Sequence, residues 1–293
     1  RVEPVHHNFM QSASTRRVLV TGGNAGIGQA LCQQLVIDYG CHVLLASRNI
    51  DKGLAAIELI KGAMPSGCRG SVECVELDVG SDSSVSSAAA AVSAGLDGAS
   101  LFAVVNNAGT GLAHGVDANM IMNTNLFGPK RVIDAFLPLL DPKEGRVVNV
   151  GSGAGAGYVR RAPPSIQKQL SVTPSSWEEI EGIARSMLGS ESDTNNGYGL
   201  SKACLHAYTM LLAAQTPNIT WSAISPGFIA TNITANYGAK KPPAEGTLAI
   251  RKCLFESLAG NGWYYGSDGL RSPYHYMRNP GEPEWDGAVP SFE

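Results

Sequence analysis

Arg17-Val-Leu-Val-Thr-Gly-Gly-Asn-Ala-Gly-Ile-Gly28 is the stretch on which the fold turns. Val18-Leu-Val20 is a short apolar run with β-branched residues, and Gly22-Gly23 ends it. From Gln29 to Val36, Ala30, Leu31, Leu35 and Val36 recur at helical spacing. This is a strand, a glycine turn and a helix. A turn at that junction exposes the first N–H groups of a helix, where the macrodipole also favours negative charge. The stretch therefore predicts a pyrophosphate site at Gly22, Asn24, Ala25, Gly26, Ile27 and Gly28. A glycine-rich match alone is as often an ordinary tight turn; its place between strand and helix gives it weight.

The alternation continues outward. His42–Ser47, residues 72–79 and residues 101–105 read as strands, with helices predicted over residues 51–64 and 84–96 between them. Further on, residues 125–140 read as a helix, Arg146–Val150 as a strand, Tyr198–Gln215 as a long helix and residues 219–224 as a strand. Residues 245–258 read as a last helix and Trp263–Tyr265 as a short final strand. Near-continuous apolar strands separated by helices imply a mostly parallel sheet buried on both faces. The expected fold is thus a Rossmann-type, doubly wound, three-layer α/β/α domain spanning residues 1–293. Residues 153–197 stand out as an insertion before the long helix, and residues 267–293 as a C-terminal extension. Within the insertion, Ser175-Ser-Trp-Glu-Glu179 offers a capping box ahead of Ile180, Ile183, Ala184, Met187 and Leu188, which predicts an amphipathic helix. Its flanks, rich in Gly, Ser and Asn, read as loops.

Composition narrows the classes of function. With 44% hydrophobic and 16% charged residues in 293, the chain can bury a large core. Its formal charge of −3 supplies no basic field for nucleic acid or anionic lipid. No run of about 18 apolar residues suggests a membrane span, and residues 1–15 lack the apolar centre of a secretory signal. The six cysteines show neither Cys-x-x-Cys nor metal spacing, so reduced thiols in a cytoplasmic protein are expected. His6 and His7 are adjacent, and adjacent side chains seldom converge on one metal; no metal site is expected.

The second strand ends Leu45-Ala-Ser-Arg48. An acid there would bind the ribose hydroxyls of NAD; Arg48 instead offers a guanidinium suited to a ribose phosphate, pointing to NADP(H) rather than NAD(H). Asp78, followed by Val79, either contacts an adenine amino group or caps the next turn. Tyr198-Gly-Leu-Ser-Lys202 places a phenol and an ammonium on one face of a helix. A nearby cation favours the phenolate, which is how a tyrosine becomes a usable proton donor and acceptor.

Taken with Asn106-Asn107-Ala108-Gly109 and with Ser152 after the fifth strand, these motifs resemble the classical short-chain dehydrogenase/reductase family. The resemblance runs from Arg17 to about Tyr265. It is nearest to the monomeric NADPH carbonyl reductases and related plant ketone reductases, on Thr21-Gly-Gly-Asn24, Thr124-Asn-Leu-Phe-Gly128, Arg146-Val-Val-Asn-Val150 and the long insertion, with 46 residues from Ser152 to Tyr198. The resemblance implies Tyr198 as proton donor, Ser152 as hydrogen-bond partner of the carbonyl, Lys202 on the nicotinamide ribose and lowering the tyrosine pKa, and Asn125 anchoring a relay water. It also implies cofactor contacts at Asn107, Ala108, Gly109, Tyr198, Lys202, Pro226, Gly227, Ile229 and Thr231.

Two departures matter. Gly151 stands where many relatives carry a serine, and Ala25 stands where many NADPH-preferring ones carry a cation. The expected activity is reduction of a ketone, aldehyde or quinone by a monomer acting on a small molecule, with no nucleic-acid or membrane partner. A dedicated biosynthetic ketone reductase or alcohol dehydrogenase differs only in substrate and direction. A non-catalytic NADP(H)-binding redox sensor or partner-binding protein is the alternative from another class.

Overall fold

The computed structural model describes residues 15–193, 195, 197–289 and 291–292; His6 and His7 lie outside them. Seven strands, β1 (Arg17–Thr21), β2 (His42–Ser47), β3 (Ser71–Glu76), β4 (Ala103–Asn106), β5 (Arg146–Val150), β6 (Thr220–Ile224) and β7 (Trp263–Tyr265), form one sheet. Its order is β3-β2-β1-β4-β5-β6-β7, and every pair is parallel. Val18 is in register with Val43 on one side and Ala103 on the other, so the chain reverses its direction of strand addition between β1 and β4. In such sheets a crevice opens beyond the carboxyl ends of the strands at this switch point.

The helices that line the two faces follow from the sequence's alternation. On one face α1 (Gly26–Ile37), α2 (Ile50–Ala63) and α10 (Leu248–Phe255) enclose a core containing Val18, Val20, Leu31, Leu35 and Ile250. On the other, α3 (Asp82–Leu96), α5 (Gly128–Phe136) and α9 (Tyr198–Gln215) enclose Leu19, Val104, Phe136, Leu205 and Trp221. The doubly wound, three-layer fold expected from the sequence is what forms.

Several boundaries differ from the expectation, each for a local reason. β3 stops at Glu76 rather than at residue 79, because the Asp78 N–H donates to the Ser84 side chain at 2.9 Å and turns the chain into α3. The helix expected over residues 125–140 is a longer composite. α4 (Ala118–Met122) passes into a π-helical turn, Asn123–Phe127, then α5, and closes in a 3₁₀ turn, Leu137–Leu139, around Pro138. Such π turns concentrate at functional sites.

The insertion is helical throughout most of its length, which corrects the loop reading of its flanks. α6 (Gly153–Arg161) and α7 (Pro164–Ser171) precede the expected α8 (Trp177–Met187). Gly155 in α6 and Gly199 in the first turn of α9 let the two helices pack backbone to backbone. A Cβ on Gly155 would stand 2.9 Å from the Ala203 nitrogen, and one on Gly199 would stand 3.1 Å from the Ala154 oxygen. The α8 cap forms as read: Ser176 Oγ accepts from the Glu179 N–H, and Glu179 reaches back to the Ser175 N–H at 2.9 Å. Ile180, Ile183 and Ala184 are buried in the α9-side core. Trp177 lies edge-on between Phe127 and Tyr208, at 5.8 and 4.9 Å.

Candidate active site

A cleft of about 1670 Å³ opens at the carboxyl ends of β1, β4, β5 and β6. At one end the glycine turn supplies Gly22, Asn24, Ala25, Gly26 and Ile27 to its wall. Gly22 and Gly26 have φ values of +64° and +55°, which only glycine adopts without strain. No side chain caps α1 and its first turn carries no acid, so its leading N–H groups keep their affinity for an anion. Gly28 does not line the cleft. A Cβ there would stand 2.3 Å from the Gly22 oxygen, so its place is behind the turn, letting helix and strand approach.

The Asn107 side chain holds this turn against β4. Its Nδ2 donates to the Thr21 and Gly22 carbonyls at 2.9 and 3.3 Å, while the Asn107 and Ala108 N–H groups both donate to Thr21 Oγ1 at 3.0 Å. Arg48 is exposed and lines the cleft beside Asn49 and Lys52, giving that end two cations and no acid at the close of β2. Asp78 and Val79 line it as well. Asp78 also performs the capping role left open by the sequence, its Oδ1 accepting from the Gly80 N–H at 2.9 Å. Ala108, Gly109, Pro226, Gly227, Ile229 and Thr231 complete this part of the wall.

Farther along, β5 delivers Ser152, and the start of α9 delivers Tyr198 and Lys202. Ser152 is also the N-cap of α6, its hydroxyl accepting from the Ala154 N–H at 3.2 Å, and it lines the cleft together with Tyr198. The Lys202 ammonium donates to the Val150 carbonyl at 2.8 Å and stands 6.0 Å from the centre of the Tyr198 ring. Burial pushes Lys202 down to about 8. Burial also raises the Tyr198 phenol above its ordinary value, with the Ser152 side chain pulling the other way. The lowered phenol expected from the Tyr-x-x-x-Lys spacing is thus not what the protein alone produces, because desolvation outweighs the lowering effect of Ser152.

Asn125 sits in the π turn, fully buried behind the cleft wall. Its Oδ1 accepts from the Thr110 N–H at 2.8 Å, and its Nδ2 donates to the Thr110 carbonyl at 2.9 Å and to Ser201 Oγ at 3.3 Å. Ser201 Oγ in turn donates to the Tyr198 carbonyl at 2.8 Å. Both ends of the amide therefore brace the loop after β4 against the start of α9.

Residues that share the motifs of a dehydrogenase thus meet in one crevice of a seven-stranded parallel sheet. The sequence profile described as short chain dehydrogenase matches residues 16–164. The chain belongs to the short-chain dehydrogenase/reductase family. It is an oxidoreductase. Short-chain dehydrogenase/reductase 1 of Saponaria officinalis is 30% identical over 297 residues, covering 86% of this chain and 94% of that protein. NADPH carbonyl reductase 1 of Sus scrofa is 26% identical over 271 residues, covering 85% and 90%. The solved structure of salutaridine reductase from Papaver somniferum matches with a TM-score of 0.70 at 26% identity, covering 85% of this chain and 99% of that one.

Sequence reasoning missed four features of this short-chain dehydrogenase/reductase. Lys52 joins Arg48 on the cleft wall one helical turn later, a spacing visible in Arg48-Asn-Ile-Asp-Lys52. Tyr264, near the end of β7, lines the cleft beside Ser225; its place at a strand end was the available signal. His206, fully buried one turn after Lys202, stacks on Tyr264 at 4.2 Å with neither ring nitrogen hydrogen-bonded. The C-terminal extension contributes Ser272, Met277, Arg278, Asn279 and Pro280 to the cleft, which no local pattern announces. Among the described residues no helix is long and apolar enough to cross a membrane.

Proposed function

We propose that the chain reduces the carbonyl of a small-molecule ketone, aldehyde or quinone to the alcohol, with Tyr198 as proton donor and NADPH as the preferred dinucleotide. The observation that carries this reading is the meeting of Ser152, Tyr198 and Lys202 on one cleft wall. NADPH, when bound, supplies the hydride. The uncapped start of α1 suits its pyrophosphate, and the exposed Arg48 and Lys52 suit a ribose phosphate; with two cations at that end, the charge missing at Ala25 is compensated.

Ser152 and Tyr198 act together on the carbonyl oxygen. Each presents a hydroxyl, so negative charge developing on that oxygen meets two donors. Tyr198 then gives up its proton. Its raised pKa keeps the phenol protonated at neutral pH, the form that reduction requires, and Lys202 steadies the phenolate left behind. Asn125 acts indirectly, by fixing Thr110 and, through Ser201, the first turn of α9.

The three insertion helices and the extension pack onto the same sheet and the same α9-side core, which supports one domain. Because α8 covers α9 and the side of Phe127, the face left for self-association is reduced, which supports a monomer. Tyr198→Phe removes the proton donor and keeps the ring. Turnover of NADPH with a carbonyl panel is expected to fall by about 10²–10⁴-fold, the range for a general acid, with NADPH binding retained. Undiminished turnover in this variant contradicts the mechanism, and tight NADPH binding without turnover by the wild type favours a non-catalytic binder.

A further inference from the structure

The extension after β7 is built into the body of the protein. Tyr274 and Trp285 are buried in the α9-side core, with Trp285 edge-on to Trp263 at 5.6 Å. The Ser272 N–H donates to the Tyr264 carbonyl at 2.8 Å, tying the extension to β7. Arg278 then locks the loop. Its Nε donates to Ser272 Oγ at 3.1 Å, its Nη1 to the Glu282 and Asn279 carbonyls at 2.6 and 3.2 Å, and its Nη2 to the Asp268 carboxylate.

Met277, the residue before this lock, is placed quite differently. Arg278 is 6% exposed, whereas Met277 is 58% exposed and lines the cleft. Its sulfur lies 2.7 Å from where a Cβ on Gly153 would stand, and Gly153 is the residue after Ser152. Three other large apolar side chains, Met120 in α4 and Phe228 and Tyr237 in the connection between β6 and α10, are also about half exposed and line the same cleft. Large apolar side chains left in water around a cleft mark a binding surface. A thioether on a flexible stem, carried by a pinned backbone, adapts to the shape of what it meets while holding a fixed limit on size.

We propose that Met277 is a specificity-determining residue, whose thioether contacts an apolar alkyl or aryl substituent of the carbonyl substrate on the Ser152 side of the cleft. This rests on the reductase reading above. Gly153 is part of the same device, since any side chain there displaces the thioether. The extension therefore sets which carbonyl compounds fit.

The test compares wild type, Met277→Ala, Met277→Trp and Tyr276→Ala on acetophenone and 4-tert-butylacetophenone. The ratio of kcat/KM for the bulky ketone over the small one is expected to rise about tenfold or more in Met277→Ala and to fall similarly in Met277→Trp, the scale of pocket-size effects. Tyr276, exposed and off the cleft wall, is expected to leave the ratio unchanged. A second readout is independent of turnover: peroxide oxidation of Met277, followed by mass spectrometry, is expected to slow when 4-tert-butylacetophenone is added to the NADPH-loaded protein. Wild-type turnover with unchanged ratios and no protection overturns the role of Met277 alone. Absence of turnover of either ketone, with no protection, overturns this role together with the reductase reading.

Discussion

Gly151 and His206 form a packing pair, and inserting a side chain at Gly151 tests it. A Cβ at Gly151 would stand 2.2 Å from His206 Nε2, 2.8 Å from Cδ2 and 3.0 Å from the Ile224 carbonyl. Contacts this short force something to move, and the imidazole has little freedom to do so. It is 1% exposed, stacked on Tyr264, and a Cβ on Gly155 would approach its Cε1 to 2.9 Å from another side. Burial, with the Lys202 charge adding to it, pushes His206 down to about 3, so the ring is neutral at physiological pH. Overpacking of a filled core typically costs about 1–3 kcal/mol, and Gly151→Ala is expected to lie in that range. In a His206→Ala background only the 3.0 Å approach to the Ile224 carbonyl remains, so the same substitution is expected to cost less by at least about 0.5 kcal/mol, the level within which independent sites add. Urea unfolding of the four proteins gives the coupling directly, with midpoints compared at unchanged slope. Equal costs of Gly151→Ala in both backgrounds would refute the pairing. This account also explains why glycine replaces the serine common in relatives: the histidine occupies the space.

Other consequences follow from the cleft. Removing Arg48 and Lys52 together is expected to weaken NADPH binding by about 10–100-fold, the loss of one to two charge-assisted hydrogen bonds, while NADH binding measured by calorimetry stays within a few-fold; equal losses for both dinucleotides would contradict the phosphate role. Burial holds Lys202 at about 8 in the fold against an ordinary value of 10.5, so between these values the unfolded chain binds more protons. Its burial cost is fully present below pH 8 and is relieved as pH rises, giving wild type a stability slope more positive than that of Lys202→Met by at most about 1.4 kcal/mol per pH unit in this window. Parallel slopes in denaturant titrations from pH 8 to 10 would show that the ammonium is not so buried. Sedimentation equilibrium at micromolar concentration is expected to give the mass of one chain; a dimer or tetramer would mean that the α8-covered face is not the one that governs assembly.

The sheet was legible because its inner strands are buried on both sides and so read as continuous apolar runs. Leu19, Val104 and Val148 have no polar alternation to confuse them. Edge strand β3 alternates, and its end was misplaced because the apolar pattern of Leu77 and Val79 continues past the point where Asp78 and Ser84 turn the chain. The glycine turn, Arg48, Ser152, Tyr198 and Lys202 were readable because each occupies a strand end or a helix face whose geometry is local. α6 was not, since Gly153-Ala-Gly-Ala-Gly157 has the propensity of a loop; its helix exists because Gly155 and Gly199 let it close on α9, a tertiary fact. The bracing role of Asn125 depends on a π turn that no spacing signals. Lys52 was legible in principle from its position one turn after Arg48, whereas Met277 and Arg278 reach the cleft only through the fold of the extension.

The account stands most directly on where the hydride goes. Incubating the protein with 4-deuterated NADPH, the label on the transferable face, and an aryl ketone is expected to give an alcohol carrying one deuterium at the former carbonyl carbon, read by mass spectrometry, and Tyr198→Phe is expected to suppress its formation. An alcohol lacking deuterium, or full formation of the labelled alcohol by Tyr198→Phe, would contradict it.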